Sequence, residues 1–219
     1  MNSPTATRIT AVDTIDALLR RAPVLPVLAI DHLDDAVPLA RALAEGGLPV
    51  LEVTLRTDAA LTAIRRIVDE VPEAIVGAGT VLTAADLDAV VAAGAAFAIS
   101  PGATDALYIA ARDITIPWIP AVATASELMR GLEHGHRRFK FFPAEAAGGV
   151  AALKSFAGPF PQAKFCPTGG IDAGSAPRYR ALANVVTVGG SWMVPKDALQ
   201  SRDWDRIRTL AQAASSKEM

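Results

Sequence analysis

Short apolar runs alternate along the whole chain with longer segments whose apolar residues recur at helical spacing. The runs are VLPVLAI from Val24, LPVLEVTL from Leu48, AIVGAGT from Ala74, FAISPG from Phe97, WIPAVA from Trp118, RFKFFP from Arg138, KFCPTGG from Lys164 and VVTVGGS from Val185. Most are continuous rather than alternating, as expected of parallel strands covered on both faces. Between them lie amphipathic stretches such as DDAVPLARALAEGG, TDAALTAIRRIVDEV and TAADLDAVVAAG, with glycine or proline at their ends. Parallel neighbours need crossover connections, so strand-then-helix order admits a doubly wound sheet or a closed barrel. Eight units in 219 residues, with no linker or low-complexity stretch, favour an α/β single-domain (β/α)8 TIM barrel over residues 1–219. An extra N-terminal helix near Thr10 to Arg21 could close the barrel bottom. The last helix is expected from Trp204 to Ala214.

Composition narrows the classes. With 51% hydrophobic and 20% charged residues the chain can bury one substantial core. A formal net charge of -2 with no basic stripe argues against nucleic acid as a partner. The longest uncharged run, Ala89 to Thr104, is broken by Gly94 and Pro101-Gly102 and falls short of the roughly 20 apolar residues a membrane span needs. The N-terminus lacks the pattern of a secretory signal, so a cytoplasmic address and no membrane partner are expected. Cys166 is the only cysteine, and the histidines are three, His32, His134 and His136. No internal disulfide can form, and a metal site is poorly supported.

A barrel of this kind carries its chemistry at the C-terminal ends of its strands. Those ends supply Glu52, Thr54 and Arg56, then Gly77 to Thr80, Ser100 and Pro101, Lys140, Thr168 to Gly170, and Gly189 to Ser191. Lys140 stands among phenylalanines. It either lays its stem on them and carries its head to solvent, sits in a structural ion pair, or faces inward, where burial disfavours the charged form and leaves a neutral amine able to attack a carbonyl. Glu52 can neutralise Lys140 or Arg56, and can equally move the protons that imine formation requires. Arg56 offers a planar fork to a carboxylate, or a surface ion pair. The TGG and GGS loops could be plain turns. They also leave backbone N–H groups open to an anion, in the loops where barrels often hold phosphate, and Ser191 adds a hydroxyl. Thr80 could instead satisfy a helix end.

EVTLRT, IVGAGTVL, FAISPG, FKFFPAE, FCPTGGI and GGSW, in this order and spacing, closely resemble the bacterial 2-keto-3-deoxy-6-phosphogluconate aldolases, including members that accept 4-hydroxy-2-oxoglutarate. The resemblance runs from about Val24 to the last helix. It implies a homotrimeric barrel that needs no metal or other cofactor and cleaves a phosphorylated keto acid reversibly to pyruvate and glyceraldehyde 3-phosphate by class I chemistry. Carried over position by position, it implies Lys140 as the Schiff-base nucleophile and Glu52 as the general acid and base. Arg56 and Thr80 become binders of the pyruvate carboxylate, with Pro101 lining that pocket. Thr168, Gly169, Gly170, Gly190 and Ser191 match positions that hold the rest of the substrate and its phosphate. Activity mainly on 4-hydroxy-2-oxoglutarate or on the galactonate-derived epimer, and a non-catalytic sugar-phosphate-binding barrel, are the competing readings. One departure is Ala121, where the family often has glycine; its methyl group is expected near the pocket. His134 and His136 match no family role and read as loop residues.

Overall fold

A computed structural model describes residues 11–216 of the chain. Helix α1 (Ala11–Arg20) leads into strands β1 (Val24–Leu28), β2 (Val50–Thr54), β3 (Ile75–Gly79), β4 (Ala98–Ile99), β5 (Trp118–Ile119), β6 (Ala121–Val122), β7 (Arg138–Phe141), β8 (Lys164–Pro167) and β9 (Val188–Gly190). Helices α2 (Ala36–Glu45), α3 (Ala60–Glu70), α4 (Ala84–Ala92), α5 (Asp105–Ala110), α6 (Ala125–Glu133), α7 (Gly149–Ala157), α8 (Ala176–Arg180), α9 (Lys196–Gln200) and α10 (Trp204–Ser215) complete the described chain. All paired strands are parallel. The ladder runs from β5 through β4, β3, β2 and β1 to β9, and separately from β6 through β7 to β8.

Two seams join those arcs into the eight-membered ring expected from the sequence. WIPAVA forms one barrel strand in two halves, β5 and β6, because Pro120 between them has no N–H for the ladder. The Pro120 carbonyl still accepts from the Lys140 N–H at 2.9 Å. Bridges Phe165↔Val185 and Thr168↔Gly189 join β8 to the segment ending in β9. The run expected from Val185 is therefore regular only over its last part.

Side chains sort by alternation. In β2, Leu51 and Val53 point outward into the core beneath the helices, while Val50 lies in a separate inner cluster with Leu25, Phe97, Ile99, Ile119 and Cys166. In β7, Phe139 and Phe141 join the outer core, which turns Arg138 and Lys140 inward. Helix α1 closes the bottom as expected. Its Ile15 and Leu19 are buried in the inner cluster, and Asp16 pairs with Arg138. Burial of an aliphatic side chain of this size contributes about 1.5–3 kcal/mol.

Two helices that follow barrel strands have their starts fixed by capping boxes. Thr83 accepts from the Asp86 N–H and Asp86 accepts from that of Thr83; Thr124 and Glu127 repeat the arrangement at α6. These caps set where the strand-end loops stop.

Candidate active site

Lys140 from β7 and Glu52 from β2 face each other inside the barrel. The Lys140 Nζ lies 2.9 Å from Glu52 Oε1, with Lys140 5% exposed and Glu52 fully buried. The lysine is buried rather than carried to solvent, and Lys140 is Glu52's only ion-pair partner among the described residues. Of the partners considered for Glu52, the structure selects Lys140 over Arg56, and the hydrogen bond between them gives a proton a direct path from amine to carboxylate. The Phe142 ring centroid, 5.4 Å from Nζ, covers the amine from the strand end. Glu52 Oε2 is buried with no hydrogen-bond partner among the described residues. An unpartnered buried carboxylate oxygen is costly, and here it is free to serve another group.

The room for Glu52 comes from β3. Gly79 has no side chain, and a Cβ there would stand 2.1 Å from Glu52 Oε1. At Gly77 a Cβ would meet the Phe97 ring at 2.4 Å. The GAG of β3 thus makes a groove on the inner face, one glycine seating an apolar ring and the other the carboxylate. Sequence reading placed these glycines at a strand end without assigning them this role; their period of two was the available signal.

The other expected residues lie around this pair at the C-terminal ends of the strands. Arg56 donates from Nε to Thr54 Oγ1 at 3.0 Å, while Thr54 donates to the Leu28 carbonyl at 2.7 Å, so the guanidinium is anchored to the barrel wall. Among the described residues Arg56 makes no ion pair, and the surface pair considered for it does not form. Thr80 has φ 59, in the left-handed region that a threonine adopts only at a cost of about 1–3 kcal/mol. Thr83, rather than Thr80, caps α4. Pro101 follows Ser100, whose buried Oγ accepts from Trp118 Nε1 at 2.8 Å and so ties down the end of β4.

The TGG loop interlocks with the loop after β7. Ala144 and Glu145 donate their N–H groups to the carbonyls of Thr168 and Gly169, at 2.8 and 3.1 Å. Glu145 accepts from the Tyr179 hydroxyl at 2.5 Å. Burial, followed by this carboxylate, raises the Tyr179 phenol above its ordinary range. Gly169 and Gly170 have φ of 104 and 78, so glycine is the residue that fits both. Gly190 pairs with Pro26, and the Trp192 ring lies against its α-carbon, so a side chain at 190 would strike that ring. Ser191 and Arg56 line one groove at the end of β1.

At three further places the structure adds contacts that the sequence did not show. Cys166 is the register partner of Lys140, and burial, only partly opposed by the Lys140 charge, pushes its thiol up to about 12. Ala121, expected near the pocket, is the partner of Lys140 on the other side. His134 and His136 are loop residues, but their rings are packed: His134 stacks on Tyr108 at 4.2 Å and His136 stands edge-on to Trp118 at 5.3 Å. Burial, then the charges of His134 and Arg137, pulls His136 down to about 4. The described residues contain no cluster of three His, Cys, Asp or Glu placed to hold a metal ion, and no helix long and apolar enough to cross a membrane.

Fold and site together define a (β/α)8 barrel of the lysine-dependent kind, with an amine and a carboxylate buried side by side inside it. The family model for KDPG and KHG aldolase matches residues 15–210. The chain is 56% identical over 199 residues to the KHG/KDPG aldolase of Escherichia coli (strain K12), covering 91% of this chain and 93% of that one. It is 57% identical over 199 residues to the 2-dehydro-3-deoxy-phosphogluconate aldolase of Dickeya dadantii, with the same coverage. A KDPG aldolase structure from Legionella pneumophila, with pyruvate captured as a covalent carbinolamine intermediate, superposes with a TM-score of 0.90 at 52% identity and covers 92% of this chain and 98% of that one. The chain belongs to the KDPG and KHG aldolase family.

Proposed function

We propose that the protein is a class I aldolase that cleaves 2-keto-3-deoxy-6-phosphogluconate reversibly to pyruvate and glyceraldehyde 3-phosphate. The observation that carries this reading is the buried Lys140 Nζ at 2.9 Å from Glu52 Oε1. Glu52 takes the proton that Lys140 must lose, and the neutral amine attacks the C2 keto carbon. Glu52 returns a proton to the carbinolamine oxygen, water leaves, and an iminium forms. The C4 hydroxyl proton then passes to Glu52 through a water as the C3–C4 bond breaks. Its electron pair enters the iminium, giving an enamine and the free aldehyde. Protonation at C3 and addition of water release pyruvate and restore Lys140.

In this reading Arg56 and Thr80 hold the pyruvate carboxylate and Pro101 lines its pocket. Thr168, Gly169, Gly170, Gly190 and Ser191 receive the remainder of the substrate and its phosphate, the φ of Gly169 and Gly170 supporting close backbone approach. The reaction uses no cofactor, and the enzyme works as a cytoplasmic homotrimer. A second reading, cleavage of 4-hydroxy-2-oxoglutarate, is supported by the E. coli relative, which carries both substrates in its name. Comparing kcat/KM on the two substrates separates them.

The test is borohydride reduction in the presence of pyruvate, followed by intact mass and peptide mapping. A pyruvyl adduct on Lys140, absent from Lys140→Ala, is expected. Folded parent protein that forms no adduct at saturating pyruvate would leave a sugar-phosphate-binding barrel without lysine chemistry as the better account.

A further inference from the structure

Helix α9, which follows β9, begins with a cation that the aldolase reading does not use. Lys196 lines the same groove of about 440 Å³ as Arg56, Ser191 and Gln200, at the ends of β1 and β9. It is exposed, and none of the ion pairs or side-chain hydrogen bonds among the described residues involves it. The carboxylate next to it in sequence is already occupied: Asp197 Oδ2 accepts from Arg206 at 2.7 Å. Across the adjoining groove, Asp35 is held by Arg202 at 2.8 Å. One acidic side chain, Asp31, lines the groove on the β1 side, against two cations and the Ser191 hydroxyl. A dianion entering this space is repelled from Asp31 and drawn to the Lys196 ammonium and the Ser191 hydroxyl, which line the same groove.

Resting on the aldolase reading, we propose that Lys196 is a specificity-determining residue: its ammonium receives the substrate phosphate together with the Ser191 hydroxyl and favours phosphorylated over unphosphorylated keto acids. The chemistry explains the selectivity. With its keto carbon held at Lys140, 2-keto-3-deoxy-6-phosphogluconate extends through C4, C5 and C6 to a dianionic phosphate. 4-Hydroxy-2-oxoglutarate stops at a C5 carboxylate, which is shorter and carries one charge. Only the longer substrate brings a dianion to the outer part of the groove. Because Lys196 is exposed, its attraction is screened by salt.

The experiment measures kcat/KM of Lys196→Ala and Lys196→Arg on both substrates, at low and high ionic strength, alongside borohydride trapping with pyruvate. Lys196→Ala is expected to lower the preference for the phosphorylated substrate about tenfold, a charge-assisted hydrogen bond discounted for exposure. The loss should appear mainly in KM and shrink at high salt, and Lys196→Arg should recover most of it. An unchanged substrate ratio, or an equal loss on both substrates, overturns the role of Lys196 while the Lys140 adduct keeps the aldolase reading intact. Absence of the adduct from the parent protein removes that reading and this inference with it.

Discussion

Replacing Gly79 by alanine should disable catalysis without touching either charged side chain. The new Cβ would stand 2.1 Å from Glu52 Oε1 and 2.7 Å from its Cγ and Cδ. Ordinary carbon–oxygen contact needs more than 3 Å, so the carboxylate must retreat by about 1 Å, and the 2.9 Å bond to Lys140 cannot survive in place. A displacement of about 1 Å in a reacting group costs on the order of 100-fold in rate. Overpacking destabilises by roughly 1–3 kcal/mol, of which about 0.4–1 is offset by the smaller entropy of the unfolded alanine chain. The net loss, at most about 2.6 kcal/mol, lowers the melting temperature by up to about 10 °C, while kcat for pyruvate release, followed by a coupled dehydrogenase below that melting point, falls by about two orders of magnitude. Gly158→Ala is the control, since no atom lies within 4 Å of a Cβ there. A folded Gly79→Ala enzyme with kcat within about twofold of the parent would refute the argument that this glycine seats the Glu52 carboxylate for the reaction.

Glu52→Gln should retain the site's shape and still trap pyruvate on Lys140 under borohydride, but with turnover lowered about 100-fold or more, because an amide cannot accept the protons. Parent-like turnover would remove Glu52 from the acid-base role. His136 gives a pH prediction. Its folded value of about 4 lies below the ordinary 6.5, so the unfolded chain binds the extra proton first. Its contribution to stability is complete above about pH 6.5 and is lost as pH falls toward 4. Melting temperatures from pH 7 to 4 should fall less steeply in His136→Phe than in the parent; parallel curves would show that folding does not lower the affinity of His136 for its proton.

The barrel was legible because its eight apolar runs recur with amphipathic segments between them, and the candidate site because long motif strings fall at strand ends. What escaped depended on neighbours distant in sequence. Pro120 could be read as a strand residue, but its missing N–H splits the ladder only because β4 and β7 flank it. For Lys140 the sequence left three placements open, with its head in solvent, in an ion pair with Glu52, or inward as a free amine. Alternation sends Phe139 and Phe141 outward, and the inner face meets Glu52 from a strand 88 residues away. Gly77 and Gly79 gain meaning only from Phe97 and Glu52, whose side chains occupy the space they leave. Lys196 belongs to no quoted motif, and its position became informative because it lines the same groove as Arg56 and Ser191.

Strand β7 carries two basic side chains on its inner face, Arg138 and Lys140, each matched to a carboxylate from another direction. Asp16 rises from α1 below; Glu52 comes from across the barrel. Each carboxylate is held on its own basic side chain, one over the barrel floor and one farther along the strand. The lower pair works as a clasp and the upper one as a tool. An amine moved two residues down the strand would be clasped by Asp16 and lost to chemistry, so the reactive position on β7 is dictated by the closure of the barrel floor as well as by the opening at its mouth.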